Sequence, residues 1–192
     1  KKGLDESSTM ITGQSSEGQT AVYNDPTTAD GRPTVAHYIK KIFLVSDNDA
    51  FNRLYEFLGQ EYINISLHEM GYEDVQIVHR LNISLTEKQN RLTNPVSFFD
   101  TSSKLLYEQP EFNSKLVMEN RPIKMGKGFI SDGQLVNEPF DFSSKNRLNL
   151  QDLHEILKSI LFPKALPRKK RFGLRSNDYE LLHTYMGMYP SE

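Results

Sequence analysis

The chain has 192 residues, of which 37% are apolar and 25% charged, with a formal charge of −2. That is enough for one domain with a core. The near-neutral balance gives no pull toward nucleic acid, and the one basic run, Arg168-Lys169-Lys170-Arg171, follows two prolines and reads as a solvated loop. There is no cysteine, hence no disulfide framework and no thiolate chemistry, and no stretch approaches the ~20 apolar residues of a transmembrane helix.

Residues 1–33 are rich in Ser, Thr, Gly, Asp and Gln, with isolated apolar positions. They read as an extended polar lead-in with one or two short strands, closing on the turn-forming run Asn24 to Pro33. Thr34 can cap a helix whose apolar face carries Val35, Tyr38, Ile39, Ile42, Phe43 and Val45. This helix ends at Ser46. Asp47 or Asn48 can cap the next, which carries Phe51, Leu54, Tyr55 and Leu58 and stops at Gly59. A third helix carries Tyr62, Ile63, Leu67 and Met70 and stops at Gly71.

Asp74 to Val78 is a candidate short strand. Asn94-Pro95 has the form of a helix start, continued by Val96, Phe99, Ser103 and Leu106. Asp132-Gly133 predicts a hairpin turn between residues 128 and 137. Residues 148–162 form a strongly amphipathic helical stretch. Asn177 with Glu180 suggests a capping box opening a last helix through about Tyr185. The fold class expected from these elements is mainly α, an α+β chain with a small hairpin, with residues 34–192 as one helical unit.

Ser46-Asp47-Asn48 is the stretch with chemical content. By itself it is what a helix junction prefers: Ser46 ends one helix while Asp47 and Asn48 cap the next. Its surroundings add more. Gly31, Thr34 and Val35 precede it; Ala50, Asn52 and Leu54 follow; Gly59 and Gly71 close the helices. This run, with the later Thr93-Asn94-Pro95 segment, resembles the helical region of the class A β-lactamases and penicillin-binding serine hydrolases over about residues 31–108. The lead-in from Leu4-Asp5 resembles the loop after that family's nucleophile helix.

The resemblance implies a helical subdomain of the β-lactamase/transpeptidase-like fold. Three elements meet in that family's cleft, Ser-x-x-Lys, Ser-Asp-Asn and Lys-Thr-Gly. By resemblance Ser46 relays a proton to the departing nitrogen as the serine nucleophile is acylated. Asn48 offers its amide to the substrate carbonyl, and Asp47 turns away to hold the loop. No cofactor and no metal are implied. The expected partners are a β-lactam or peptidoglycan-like substrate and an α/β sheet domain outside this chain, and the expected location is the periplasm or cell envelope.

The chain departs from the family in two places. No Ser has a Lys three residues later and Lys-Thr-Gly is absent, Lys124-Met125-Gly126 being a near miss. The chain, which starts Lys1-Lys2-Gly3, is therefore expected to be a piece of something longer, with the nucleophile before Lys1 and the third element after Glu192. In the family's Glu-x-x-Leu-Asn, which activates the deacylating water, Leu81-Asn82 are present but Val78 stands at the Glu position, with Glu87 the nearest carboxylate. The five histidines are scattered, without a metal-type pair. A non-catalytic helical interaction module, or an inactive paralogue, stands as the alternative.

Overall fold

The computed structural model describes residues 3–119 and 121–189. Helices and strands both build the core, so the chain is α+β. Strand β1 (Thr9–Thr12) is followed by helices α1 (Val35–Val45) and α2 (Asn48–Glu69) and the short α3 (Glu87–Arg91). Strands β2 (Leu92–Thr93), β3 (Val96–Phe99), β4 (Leu105–Gln109) and β5 (Phe112–Asn113) come next. Four more, β6 (Lys124–Met125), β7 (Phe129–Ser131), β8 (Gln134–Val136) and β9 (Phe140–Asp141), precede α4 (Leu150–Leu161) and α5 (Ser176–Gly187).

The main sheet is antiparallel in the order β1-β3-β4. Its inner face meets α1 and α2 in a cluster of Met10, Tyr38, Ala50, Val96 and Phe98, all essentially inaccessible, flanked by Ile42, Leu54, Phe57 and Tyr107. Phe57 meets Phe98 edge to face with ring centroids 4.7 Å apart, the arrangement aromatic quadrupoles prefer. Met10 belongs to the segment with the most polar composition. Its neighbours Ser8, Thr9 and Thr12 are buried as well, Thr9 pairing with Phe99 and Thr34 and Thr12 with Val96.

One helix signal behaves differently from expectation. Residues 94–106 are not a helix. Val96 and Phe98 face the core while Ser97 and Phe99 alternate away, a period of two that suits a strand. Asp100 accepts hydrogen bonds from the backbone of Ser102 and Lys104, and Ser103 takes a left-handed turn at φ 61°. These close the β3–β4 hairpin. The run that looked like a proline-initiated helix thus becomes the centre of the sheet.

The second and third helices form as expected on either side of Gly59, where φ 71° and ψ 151° interrupt the helical backbone within α2. That conformation is open to glycine and costly for other residues.

Other elements follow their signals more closely. The Asp132-Gly133 hairpin forms, both residues at positive φ (49° and 78°) as a type I′ turn requires. Asp74 to Val78 makes only an isolated bridge, Gln76 to Arg147. The last helix begins at Ser176 rather than after Asn177, with the Asp178 carboxylate accepting the Arg175 N–H at 2.8 Å. Helix α4 forms, capped by Asn149, but it turns Asp152 and Ser159 inward and leaves Leu150, Leu153, Leu157 and Leu161 exposed.

Candidate functional site

Helix α1 ends because Ser46 turns left-handed, at φ 53° and ψ 44°. The Asp47 N–H reaches back to the Lys41 carbonyl at 3.3 Å, which closes the helix end. Asp47 then caps α2, its Oδ1 accepting the Ala50 N–H at 2.9 Å. One residue pair therefore stops one helix and starts the next, and the chain reverses direction at Ser46. Both Ser46 and Asn48 are exposed. Among the described residues neither side chain has a hydrogen-bond partner. Phe43 and Val45, also exposed, form an apolar shoulder beside Ser46.

Asp47 is engaged on both oxygens. Its Oδ2 lies 3.1 Å from Lys41 Nζ, and the same ammonium lies 3.2 Å from Asp25 Oδ2. Asp25, with its side chain 6% exposed, also accepts the Thr27 N–H (2.9 Å) and hydroxyl (2.6 Å). Burial would raise the Asp25 carboxyl, but the Thr27 hydrogen bonds and Lys41 outweigh it and hold the pKa down at about 2. Asp47 is lowered in the same way, burial being outweighed by the Ala50 amide and Lys41. The Lys41 ammonium is correspondingly raised, its two carboxylates overcoming burial. His37 Nε2 meets the Thr27 hydroxyl at 2.8 Å at the edge of this cluster, and desolvation lowers its pKa.

One turn into α2, Asn52 is buried and grips the backbone of Leu81. Its Nδ2 donates to the Leu81 carbonyl at 2.9 Å, and its Oδ1 accepts the Leu81 N–H at 2.8 Å. This docks residues 79–85 beside the first turn of α2. A second turn on, Glu56 and Arg80 form a buried ion pair through both carboxylate oxygens, at 2.6 and 2.8 Å. Glu56 also accepts the Asn94 N–H at 2.7 Å, and Arg80 donates to the Leu92 carbonyl at 2.8 Å. The pair is hydrogen-bonded at every side, which is what a buried charge requires.

A cleft of about 540 Å³ opens along this loop, lined by Val78, Asn82, Ser84, Glu87, Asn90 and Lys145 among others. Its far wall comes from the segment before α4, fastened by Asn146. The Asn146 Oδ1 accepts the Val78 N–H and its Nδ2 donates to the His79 carbonyl. His79 is structural. Its Nε2 accepts the Asn146 N–H, so the proton is on Nδ1, donated to the Arg80 carbonyl. Glu87 opens α3 and pairs with Arg91 at 2.7 Å, with its own side chain 72% exposed. Asn82 holds a left-handed conformation, φ 54°.

Lys124 and Met125 form β6, with Gly126 just after it, and Met125 borders a separate apolar cleft of about 450 Å³ with Phe129, Phe140 and Phe142. No group of His, Asp or Glu among the described residues is arranged to hold a metal ion. No helix among them is long and apolar enough to cross a membrane.

Sequence reasoning overlooked Lys41, Asp25, Glu56 and Arg80. The first pair had no local signal, since Lys41 shares α1 with Lys40 and His37 and nothing in the spacing sets it apart. Glu56 and Arg80 look like surface charges in the sequence, and only their tertiary contact distinguishes them.

The α+β chain thus displays Ser46 and Asn48 at a helix junction, with a polar loop clamped beside it. The family model described as the beta-lactamase enzyme family matches residues 2–117, and the chain belongs to that family. It is thereby a member of the β-lactamase and penicillin-binding serine hydrolase superfamily. No curated protein and no solved structure matches it.

Proposed function

We propose that this chain supplies the Ser-Asp-Asn side of the cleft in a serine hydrolase that acts on β-lactam or peptidoglycan-type amides through an acyl-serine. The observation that carries the reading is the different treatment of three consecutive side chains. Asp47 is turned into the fold, bonded to Ala50 and Lys41. Ser46 and Asn48 are turned out, exposed and unpaired among the described residues. A cap needs only the first of these. A cleft wall needs the other two, because a hydroxyl that relays a proton and an amide that polarises a carbonyl must be free to meet substrate.

In this reading Ser46 passes a proton toward the leaving nitrogen during acylation. Asn48 donates its side-chain N–H to the substrate's amide carbonyl. Asp47 reaches no substrate and serves the junction. The nucleophile and the lysines belong to the Ser-x-x-Lys and Lys-Thr-Gly elements, which this chain does not carry, so the chain by itself turns nothing over. The corresponding location is the periplasm or cell envelope, with a sheet domain completing the cleft.

A second reading has a specific observation in its favour. Val78 cannot activate water, and Glu87 is engaged by Arg91 at the rim of the loop. A protein with this loop would hold its acyl-enzyme, as a penicillin-binding protein does, instead of hydrolysing it efficiently.

The test is the rate of acylation of the full-length protein by a chromogenic cephalosporin. Ser46→Ala slows it by roughly a hundredfold, the scale of a lost proton-transfer group. An unchanged rate removes the relay role. A fast second phase of turnover would remove the slow-deacylation reading.

A further inference from the structure

We infer that Asp25 and Lys41 are positioning residues for the Ser-Asp-Asn junction, the lysine acting as a bridge that ties the cap of α2 to the loop before α1. The inference rests on the functional reading above and names residues outside its motif.

Lys41 lies near the end of α1, five residues before Ser46. Its ammonium stands between two carboxylates from different segments, 3.2 Å from Asp25 and 3.1 Å from Asp47. Asp25 is itself immobilised. Thr27 donates to it twice, and the Asp25 N–H donates to the Gly31 carbonyl at 2.9 Å. The chain is thus fixed at one end of the bridge by a closed turn and at the other by a helix cap. Ser46 lies between Lys41 and Asp47, in a left-handed conformation that serine adopts only where its surroundings hold it.

Three constraints meet at that junction. The Ser46 N–H is bonded to Ile42 in the helix behind it (3.2 Å). Asp47 ahead of it accepts the Ala50 N–H, and its other carboxylate oxygen is pulled back toward Lys41. With the bridge intact, Asp47 has no oxygen free to turn outward, and the only side chains at the junction that can face a substrate are Ser46 and Asn48. Without it, Asp47 loses its cation and is free to compete for the same space. A misplacement of about 1 Å at a reacting group costs on the order of a hundredfold in rate, so the junction's rigidity has catalytic weight even though Lys41 touches no substrate.

The experiment has two arms. On this chain, side-chain carboxyl NMR follows the titration of Asp47, and hydrogen exchange follows the Ala50 amide, in the parent, Lys41→Met and Lys41→Arg proteins. Lys41→Met is expected to move the Asp47 midpoint up toward the ordinary carboxylate range and to speed Ala50 exchange by about tenfold, while the Tyr55 amide in the core keeps its protection. Lys41→Arg restores both, since guanidinium can also span two carboxylates. An Asp47 midpoint and Ala50 exchange rate that do not respond to Lys41→Met overturn the bridge.

In the second arm, acylation of the full-length protein by a chromogenic cephalosporin is measured for Lys41→Met, Lys41→Arg, Asp25→Asn and Ser46→Ala. Slowing by roughly ten- to a hundredfold in Lys41→Met and Asp25→Asn, with recovery in Lys41→Arg, supports positioning. Slowing in Ser46→Ala alone overturns it and leaves the functional reading standing. No slowing in any variant overturns both.

Discussion

The side chain of Asn52 closes two hydrogen bonds on the backbone of Leu81, donating to its carbonyl and accepting from its N–H. It thereby does what a strand neighbour would do, at a place where the chain has no strand. This fastens the loop after α2 to the turn of helix that follows Ser-Asp-Asn. Asn52→Ala leaves both Leu81 groups without their partner. The expected cost is about 2–3 kcal/mol, the scale of unmade buried hydrogen bonds. Urea unfolding would give the loss, and faster exchange of the Leu81 amide would place it. Asn52→Asp is expected to fail as well, because a carboxylate can accept from the N–H but cannot donate to the carbonyl.

Among the described residues the Glu56–Arg80 ion pair is the most buried, with both side chains no more than 2% exposed. Glu56→Gln leaves the guanidinium buried without a countercharge and weakens the hold on the Asn94 backbone. Breaking such a pair from one side costs about 3–5 kcal/mol. The double variant Glu56→Gln with Arg80→Met is expected to lose less than the two single losses added together, since the second change removes the stranded charge. Chemical denaturation of the four proteins checks this. Strict additivity would show that the two residues act independently.

The carboxylates around Lys41 give a pH dependence whose sign is fixed. Asp25 has a folded pKa of about 2 against an ordinary value of 3.8. A group lowered on folding stabilises the native state above its unfolded pKa and loses that contribution as pH falls through its folded one. The expected contribution is about 2 kcal/mol at neutral pH, fading between roughly pH 4 and pH 2. Lys41 is raised, so its share is complete at neutral pH and fades only as alkali passes its raised value. Asp25→Asn should flatten the acid limb of a stability-versus-pH curve while leaving the alkaline limb partly in place through Asp47. An acid limb of unchanged depth would locate the acid sensitivity elsewhere.

How much of this could be read from the sequence depended on where the information was local. The junction at Ser46 was legible because capping chemistry acts over three or four residues, and the Asp132-Gly133 hairpin because two adjacent residues must both adopt positive φ. Residues 94–106 misled because Pro95 after Asn94 is equally acceptable before a strand, and the decisive fact, that Val96 and Phe98 pack beside Met10 of the neighbouring strand, involves partners more than eighty residues apart. The polar composition of residues 1–33 concealed Met10 for the same reason. Family membership followed from motif order and spacing, whereas Lys41, Glu56 and Arg80 acquire meaning only through contacts that spacing does not encode.

Gly59 carries α2 through a break in which φ is 71° and ψ is 151°. An alanine Cβ would meet nothing closer than Thr93 Cγ2 at 3.8 Å, so the obstacle is backbone strain and not space. Gly59→Ala is expected to cost about 1–3 kcal/mol. Because the break sets the direction of the second half of α2, the buried Gln60 and Asn64 should loosen with it. Thermal unfolding and the exchange rate of the Ile77 amide, which donates to Asn64 Oδ1 at 2.8 Å, would measure both effects. A stabilising Gly59→Ala would mean that the two halves of α2 run as one continuous helix.

Helix α4 points its leucines outward and its Asp152 and Ser159 inward, the reverse of an ordinary surface helix. The two buried polar side chains are satisfied by the helix itself and its cap, beside half-buried Ile156 and Ile160. Asn149 Nδ2 donates to Asp152 at 2.9 Å, and the Ser159 hydroxyl donates to the Ile156 carbonyl at 2.8 Å. Substitutions on the two faces should therefore behave opposite to their hydrophobicity. Leu153→Gln and Leu157→Gln, at sites 47% and 42% exposed, are expected to cost less than about 1 kcal/mol each. Ser159→Leu forces extra carbons into a site with no accessible surface and is expected to cost about 1–3 kcal/mol. Urea midpoints for the three variants of this chain decide the matter. A large loss at Leu153 or Leu157 would show that these side chains are covered in solution.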